Sequence, residues 1–236
     1  MSDDFKKQIA IITGGSRGIG KAIAESLSQK GIVCILLARD YDALNEVSGL
    51  IKSRGGEAEF YNVDITDYKR VNEVIDDIKM RHNRIDVLIN NAGVGLFKQV
   101  VEMSMEEWRK VMSVNLDAVF YMTRQVLPVM LSQGKGIIIN IASLAGKNSF
   151  IGGSVYCASK AGLMAFSECL MLEVRDKNIK VGVIAPGSVA TEFSDKADES
   201  WMLVAQDIAM QVVNMIEARD KANVSYVEIR PLKPIK

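Results

Sequence analysis

Short strand-like runs recur along this chain, and the most apolar of them show no alternation with polar residues. They lie at Gln8–Thr13, Ile32–Leu37, Ala58–Val63, Val87–Ile89, Gly136–Ile141, Lys180–Ile184 and Tyr226–Ile229. A strand buried on both faces reads as a near-continuous apolar run. Between these runs the apolar residues recur at helical spacing: Ala22, Ile23, Ala24 and Leu27; Leu44, Val47, Leu50 and Ile51; then Tyr68–Arg81 and Asp207–Ala218. Ser104, Met105, Glu106 and Glu107 form a capping box. It opens a long helix through Trp108, Val111, Val114, Leu116, Phe120 and Leu127. Strands alternating with helices predict an α/β fold, one doubly wound domain over residues 1–236 with helices on both faces of a parallel sheet.

Composition narrows the function classes. Lys plus Arg number 29 and Asp plus Glu 29, so no nucleic acid or acidic membrane is expected as a partner. No apolar run reaches the length of a membrane span, and the polar start is unlike a signal peptide. The three cysteines, Cys34, Cys157 and Cys169, have no metal-ligand spacing, and reduced thiols in a cytoplasmic protein are expected. The single histidine, His82, falls in a polar connector and reads as an exposed bystander, which argues against a histidine-based triad.

In doubly wound sheets ligands bind beyond the carboxyl ends of the strands. The unusual residues of this chain fall there: Gly14, Arg39, Asp64, Asn91, Ser143 and Pro186. The first strand runs into Thr13–Gly20, with glycines at 14, 15, 18 and 20, and then into a helix. Glycines let a backbone approach a pyrophosphate, and a helix N-terminus offers N–H groups and positive potential. After the second run Ala38 stands where an acidic residue would hold a ribose hydroxyl, and Arg39 follows. With Arg17 in the glycine turn, this favours a 2′-phosphate, hence NADP(H) over NAD(H). Asp40 could instead neutralise Arg39 or contact a ribose. Asp64 could face an adenine amino group or simply precede a helix cap at Thr66.

Tyr156 and Lys160 are four apart on a helix predicted to run to Asp176, so they share a face. A cation beside a phenol favours the phenolate, which would make an acid/base group near neutral pH. An ordinary surface pair on an amphipathic helix has the same spacing. Asn115 lies inside the long helix, where propensity gives no reason for asparagine. A buried amide there either braces backbone or handles a water.

Taken together, these motifs resemble the short-chain dehydrogenase/reductase family over essentially the whole chain. They are T-G-x-x-x-G-x-G at Thr13–Gly20, N-N-A-G at Asn90–Gly93, Asn115, Ser143, Y-x-x-x-K at Tyr156 and Lys160, and Pro186, Gly187 and Thr191. The resemblance implies a Rossmann-type fold and an NADP(H)-dependent oxidoreductase acting on a small ketone, aldehyde or secondary alcohol. It implies that Ser143 bonds the substrate oxygen and Tyr156 passes the proton. Lys160 would lower the tyrosine pKa and hold the nicotinamide ribose, and Asn115 would fix a water. The cofactor contacts it implies are Gly14, Ser16, Arg17, Gly18, Ile19, Gly20, Arg39, Asp64, Ile65, Asn91, Ala92, Gly93, Tyr156, Lys160, Pro186, Gly187, Val189 and Thr191, with no metal. It also implies a homodimer or homotetramer through the helices around Glu107–Leu131 and Tyr156–Asp176. A 3-oxoacyl-carrier-protein reductase is the alternative. The chain lacks that group's glycine-rich tail after the last strand, and its segment between Thr191 and Trp201 is short and polar. A non-enzymatic NADP sensor on the same fold is a third possibility, opposed by the complete set Asn115, Ser143, Tyr156 and Lys160.

Overall fold

The structure is a computed structural model that describes residues 7–192 and 200–233. Seven parallel strands form its sheet: β1 (Ile9–Thr13), β2 (Val33–Ala38), β3 (Ala58–Asn62), β4 (Val87–Asn90), β5 (Gly136–Ile141), β6 (Ile179–Pro186) and, numbered ninth in chain order, β9 (Tyr226–Ile229). They are ordered β3-β2-β1-β4-β5-β6-β9. Each expected strand is present, and the registers place Ile11 beside Ile35 and Leu88, and Asn90 beside Asn140.

Neighbouring residues of a strand point to opposite faces, and both faces are covered. Ile9, Ile11, Ile35 and Ile138 pack against α3 (Tyr68–His82), α5 (Ala118–Gln133) and α6 (Ser154–Val174) through Ile75, Met122, Val126 and Leu170. Ala10, Ile12, Leu36 and Ile139 pack against α1 (Gly18–Ser28), α2 (Tyr41–Ser53) and α7 (Ala205–Glu217) through Ile23, Leu27, Val47 and Val212. The strand order reverses between β1 and β4, which is where a doubly wound sheet opens a crevice.

Several local expectations are corrected. The helix predicted from Ser104 to Leu127 is α4 (Met105–Met112), a π-helical turn (Ser113–Asp117) and then α5. Its capping box is present, with Ser104 Oγ accepting from Glu107 N–H and the Glu107 carboxylate accepting from Ser104 N–H. The cap of α3 is Asp67, not Thr66, because the Asp67 carboxylate accepts from the N–H groups of Lys69 and Arg70. His82 is the last residue of α3 and not an exposed connector: its side chain is 17% exposed, with Nε2 3.5 Å from Glu59 Oε1. Two strands were not expected, β7 (Val189–Ala190) and β8 (Leu203–Val204), which pair with each other. The span Ser154–Lys177 is long and apolar enough to cross a membrane by length and composition. Here its Leu163, Leu170 and Val174 are buried against the sheet.

A buried polar chain ties the carboxyl ends of the central strands to α6. Asn90 Nδ2 donates to Asn140 Oδ1 at 2.8 Å, Asn140 Nδ2 donates to Ser167 Oγ at 2.8 Å, and Ser167 Oγ donates to the Leu163 carbonyl at 2.6 Å. Removing one member leaves desolvated partners, each costing about 1–3 kcal/mol. Asn140→Ala should therefore lower the unfolding free energy by about 2–3 kcal/mol. Urea denaturation checks this, and a loss below the scatter of surface substitutions would remove the chain from the fold's support.

Candidate active site

The glycine turn sits at the end of β1. Its Gly14 and Gly18 have φ of +66° and +52°, the left-handed region that side chains disfavour. At Gly20 there is no room for a side chain, since a Cβ would lie 2.1 Å from the Gly14 carbonyl oxygen. Thr13 organises the neighbouring strand end. Its hydroxyl accepts from the N–H groups of Asn91 at 3.0 Å and Ala92 at 3.1 Å. The Asn91 amide donates to the carbonyls of Thr13 at 2.9 Å and Gly14 at 3.3 Å. Asn91 thus braces the turn with its side chain, and Gly93 borders Lys160.

The first turn of α1 differs from those of α2, α3 and α4. Those are capped by Asp40, Asp67 and Ser104, whereas Arg17 caps α1 with no side-chain hydrogen bond. An α-helix start whose N–H groups lack a side-chain acceptor, flanked by glycines, fits a phosphate group. Ser16 and Ile19 are half-buried beside it. Thr191 lies over the turn, with Cγ2 3.5 Å from where a Gly18 Cβ would stand. Pro186 is buried at the end of β6, and Gly187 N–H donates to the Ile229 carbonyl at 2.8 Å. Val189 packs into the α1 face of the core.

The two arginines each have a carboxylate neighbour of their own. Arg17 Nη1 donates to Glu192 Oε2 at 2.7 Å, with both side chains about two-thirds exposed. Arg39 is exposed at the end of β2 and acts on Asp64. Burial pushes the Asp64 carboxyl up, but hydrogen bonds from Thr66 N–H and hydroxyl, with Arg39 nearby, hold it below its ordinary value overall. Asp40 is engaged as the cap of α2, accepting from Ala43 N–H at 3.1 Å. Ile65 is 8% exposed, its side chain turned into the core, so it can offer only backbone to a ligand.

At the end of β5, Ser143 and the half-buried Tyr156 share a side-chain hydrogen bond. Ser143 Oγ also accepts from Ala145 N–H at 3.1 Å, which fixes its hydroxyl. Lys160 is 4% exposed and donates from Nζ to the Ile141 carbonyl at 2.9 Å. Its Nζ lies 5.9 Å from the centre of the Tyr156 ring and 3.6 Å from where a Gly93 Cβ would stand. Burial lowers the Lys160 ammonium from 10.5 to about 8.

Burial, and not Lys160, has the largest effect on the Tyr156 phenol. Burial pushes Tyr156 above the usual tyrosine value, the Ser143 hydrogen bond pulls it back in part, and neighbouring Cys157 pushes the same way as burial. The ammonium is bound to a backbone carbonyl rather than to the phenol.

Asn115 is 1% exposed within the π-helical turn. Its Oδ1 accepts from Val94 N–H at 2.8 Å, and its Nδ2 donates to the Val94 carbonyl at 2.9 Å and to Ser159 Oγ at 3.0 Å. Ser159 Oγ in turn donates to the Tyr156 carbonyl at 2.8 Å. Asn115 therefore joins the loop after β4 to the turn of α6 that carries Tyr156. π-Turns inside α-helices recur at functional sites. The roles of Ser159 and Glu192 were not legible in the sequence, since each acts through a partner remote in the chain or a backbone group. Among the described residues no cluster of potential metal ligands occurs.

The lowered Lys160 pKa is also a stability statement. The folded value lies below the unfolded one, so burying the charge costs free energy below pH 8, and the cost fades as pH rises from about 8 to 10.5. Lys160→Met should stabilise the fold at pH 7 by up to roughly 3 kcal/mol, less the lost bond to Ile141. Thermal melts from pH 7 to 10.5 should show the gain shrinking. A variant less stable than the parent at pH 7, or a gain independent of pH, would contradict the buried charge.

The chain matches the short chain dehydrogenase family model over residues 8–201. It is 33% identical to an uncharacterized oxidoreductase of Staphylococcus saprophyticus, over 97% of this chain and 99% of that one. It is 36% identical to a 3-oxoacyl-acyl-carrier-protein reductase of Haemophilus influenzae, over 80% of this chain and 76% of that one. A crystal structure of a metagenomic short-chain oxidoreductase in complex with NADP superposes with a TM-score of 0.89 at 36% identity, covering 98% of this chain and all of that one. With the seven-stranded parallel sheet and the glycine turn at its switch point, these likenesses place the chain in the short-chain dehydrogenase family.

Proposed function

We propose that this chain, as one domain, is an NADP(H)-dependent oxidoreductase that interconverts small ketones or aldehydes and secondary alcohols. The observation that carries this is the Ser143–Tyr156 hydroxyl pair beside buried Lys160, across the crevice from the glycine turn. Two hydroxyls converging on one point can hold a carbonyl oxygen. A bound nicotinamide cofactor would supply the hydride chemistry. Tyr156 would give its proton to the reduced oxygen, and the raised phenol pKa keeps that proton in place at neutral pH. In the alcohol direction the same phenol must first be deprotonated, so oxidation should favour alkaline pH. Lys160 and Gly93 border the same space, which suits a ribose between them. Asn115 would hold the Val94 loop at the distance this requires.

NADP(H) is supported by Ala38, Arg39 and Arg17, and by the NADP complex of the metagenomic relative. The likeness to the Haemophilus influenzae carrier-protein reductase favours acyl thioesters as a second reading. The short polar stretch before Trp201 bears on the same choice, but residues 193–199 lie outside the described residues. Half-exposed Phe120 and Leu172 on α5 and α6 support a homodimer or homotetramer through those helices.

Tyr156→Phe should lower kcat by a hundredfold or more with NADPH affinity retained, because the ring still packs but passes no proton. Near-parental turnover would remove Tyr156 from the chemistry. The double change Ala38→Asp with Arg39→Leu should reverse an NADPH preference of about tenfold to a hundredfold in kcat/KM. Equal use of NADPH and NADH by the parent would show that the arginines do not set cofactor choice.

A further inference from the structure

Two phenylalanines lie in a row beside Tyr156, Phe97 against its ring and Phe150 against Phe97. The Phe97 ring, in the loop after β4, meets the Tyr156 ring edge-on at 5.5 Å and 82°. The Phe150 ring, in the loop before α6, packs on Phe97 at 5.6 Å. Both rings remain about half exposed, 56% and 47%, although each is large and apolar.

The surrounding backbone is built to hold them there. Lys98 N–H donates to the Gly152 carbonyl at 2.7 Å, joining the two loops directly. Lys98 Nζ is paired with Glu107 at 3.0 Å, which fixes the first loop against α4. Gly152 has φ of +80°, so a glycine is required where the second loop turns toward Lys98. The Phe150 ring lies on Gly153, where a Cβ would come within 2.7 Å of it.

We propose that Phe97 and Phe150 form an aromatic wall that selects carbonyl compounds bearing a flat aryl group on the carbonyl carbon, with Phe97 as the specificity-determining residue. The proposal rests on the oxidoreductase reading of the Ser143–Tyr156 pair. With the substrate oxygen at those two hydroxyls, a substituent on its carbon lies alongside the rings next to Tyr156. An aryl group there covers half-exposed apolar surface and meets ring edges and faces, a gain worth about tenfold in affinity. A carboxylate in the same place loses water and finds no donor on the two rings.

The test compares kcat/KM for acetophenone, butanone and pyruvate with NADPH in the parent, Phe97→Ala, Phe97→Leu and Gly153→Ala proteins. NADPH binding is measured separately by fluorescence titration. The parent should prefer acetophenone to butanone by about tenfold or more, and use pyruvate least. Phe97→Ala should lower the acetophenone-to-butanone ratio about tenfold, and Phe97→Leu, which keeps apolar bulk but no ring, by less. Gly153→Ala should lower it too, by displacing Phe150, with NADPH affinity unchanged in all three. A parent ratio near one, or a ratio unmoved by Phe97→Ala in a protein that binds NADPH normally, overturns the wall and leaves the oxidoreductase reading standing. NADPH binding with no turnover of any of the three compounds overturns that reading, and the wall with it.

Discussion

The ammonium of Lys160 is held almost out of water by one backbone carbonyl at the end of β5. A buried cation is costly unless its surroundings hold it in one place. Here those surroundings are the parts that make up the site. The Ile141 carbonyl fixes Nζ from the sheet, Gly93 leaves room beside it, and α6 carries Lys160 and Tyr156 on one face. The Asn90–Asn140–Ser167 chain then ties α6 to the same strand ends, so the helix cannot slide without breaking buried hydrogen bonds.

The chemistry follows from how that burial is shared. The ammonium has lost part of its basicity, and the phenol stays protonated above its ordinary value. The phenol thus stands beside Ser143 while the ammonium bonds backbone. Asn115 completes the frame from the other side. Its amide bonds the Val94 N–H and carbonyl and Ser159 Oγ, and so braces the β4 loop against α6.

The sheet was legible because strands buried on both faces must be apolar throughout, and Ile9–Thr13 and Gly136–Ile141 are. The glycine turn was legible because its conformation demands glycine at positions 14 and 18. The π-turn was not, since it adds one residue to a helix whose apolar spacing continues across it. Asn140 lies in an otherwise apolar strand, and only the register of β4 against β5 brings Asn90 and Asn140 together. The same holds for Arg17 with Glu192, and for Phe97 with Phe150: each partner lies far off in sequence and is set by loops rather than by periodicity. Thr66 misled as a helix cap because Asp64, three residues before Asp67, draws its N–H and hydroxyl away.

Lys160 is buried and bound to backbone, and NMR of the protein with 13C-labelled lysine tests this directly. Lys160 would be assigned by its absence from the spectrum of Lys160→Arg. Its side-chain carbon resonances should titrate with a midpoint near pH 8, well below the surface lysines. A midpoint at the ordinary lysine value would mean the ammonium is in water, and would contradict the arrangement on which the rest of the site depends.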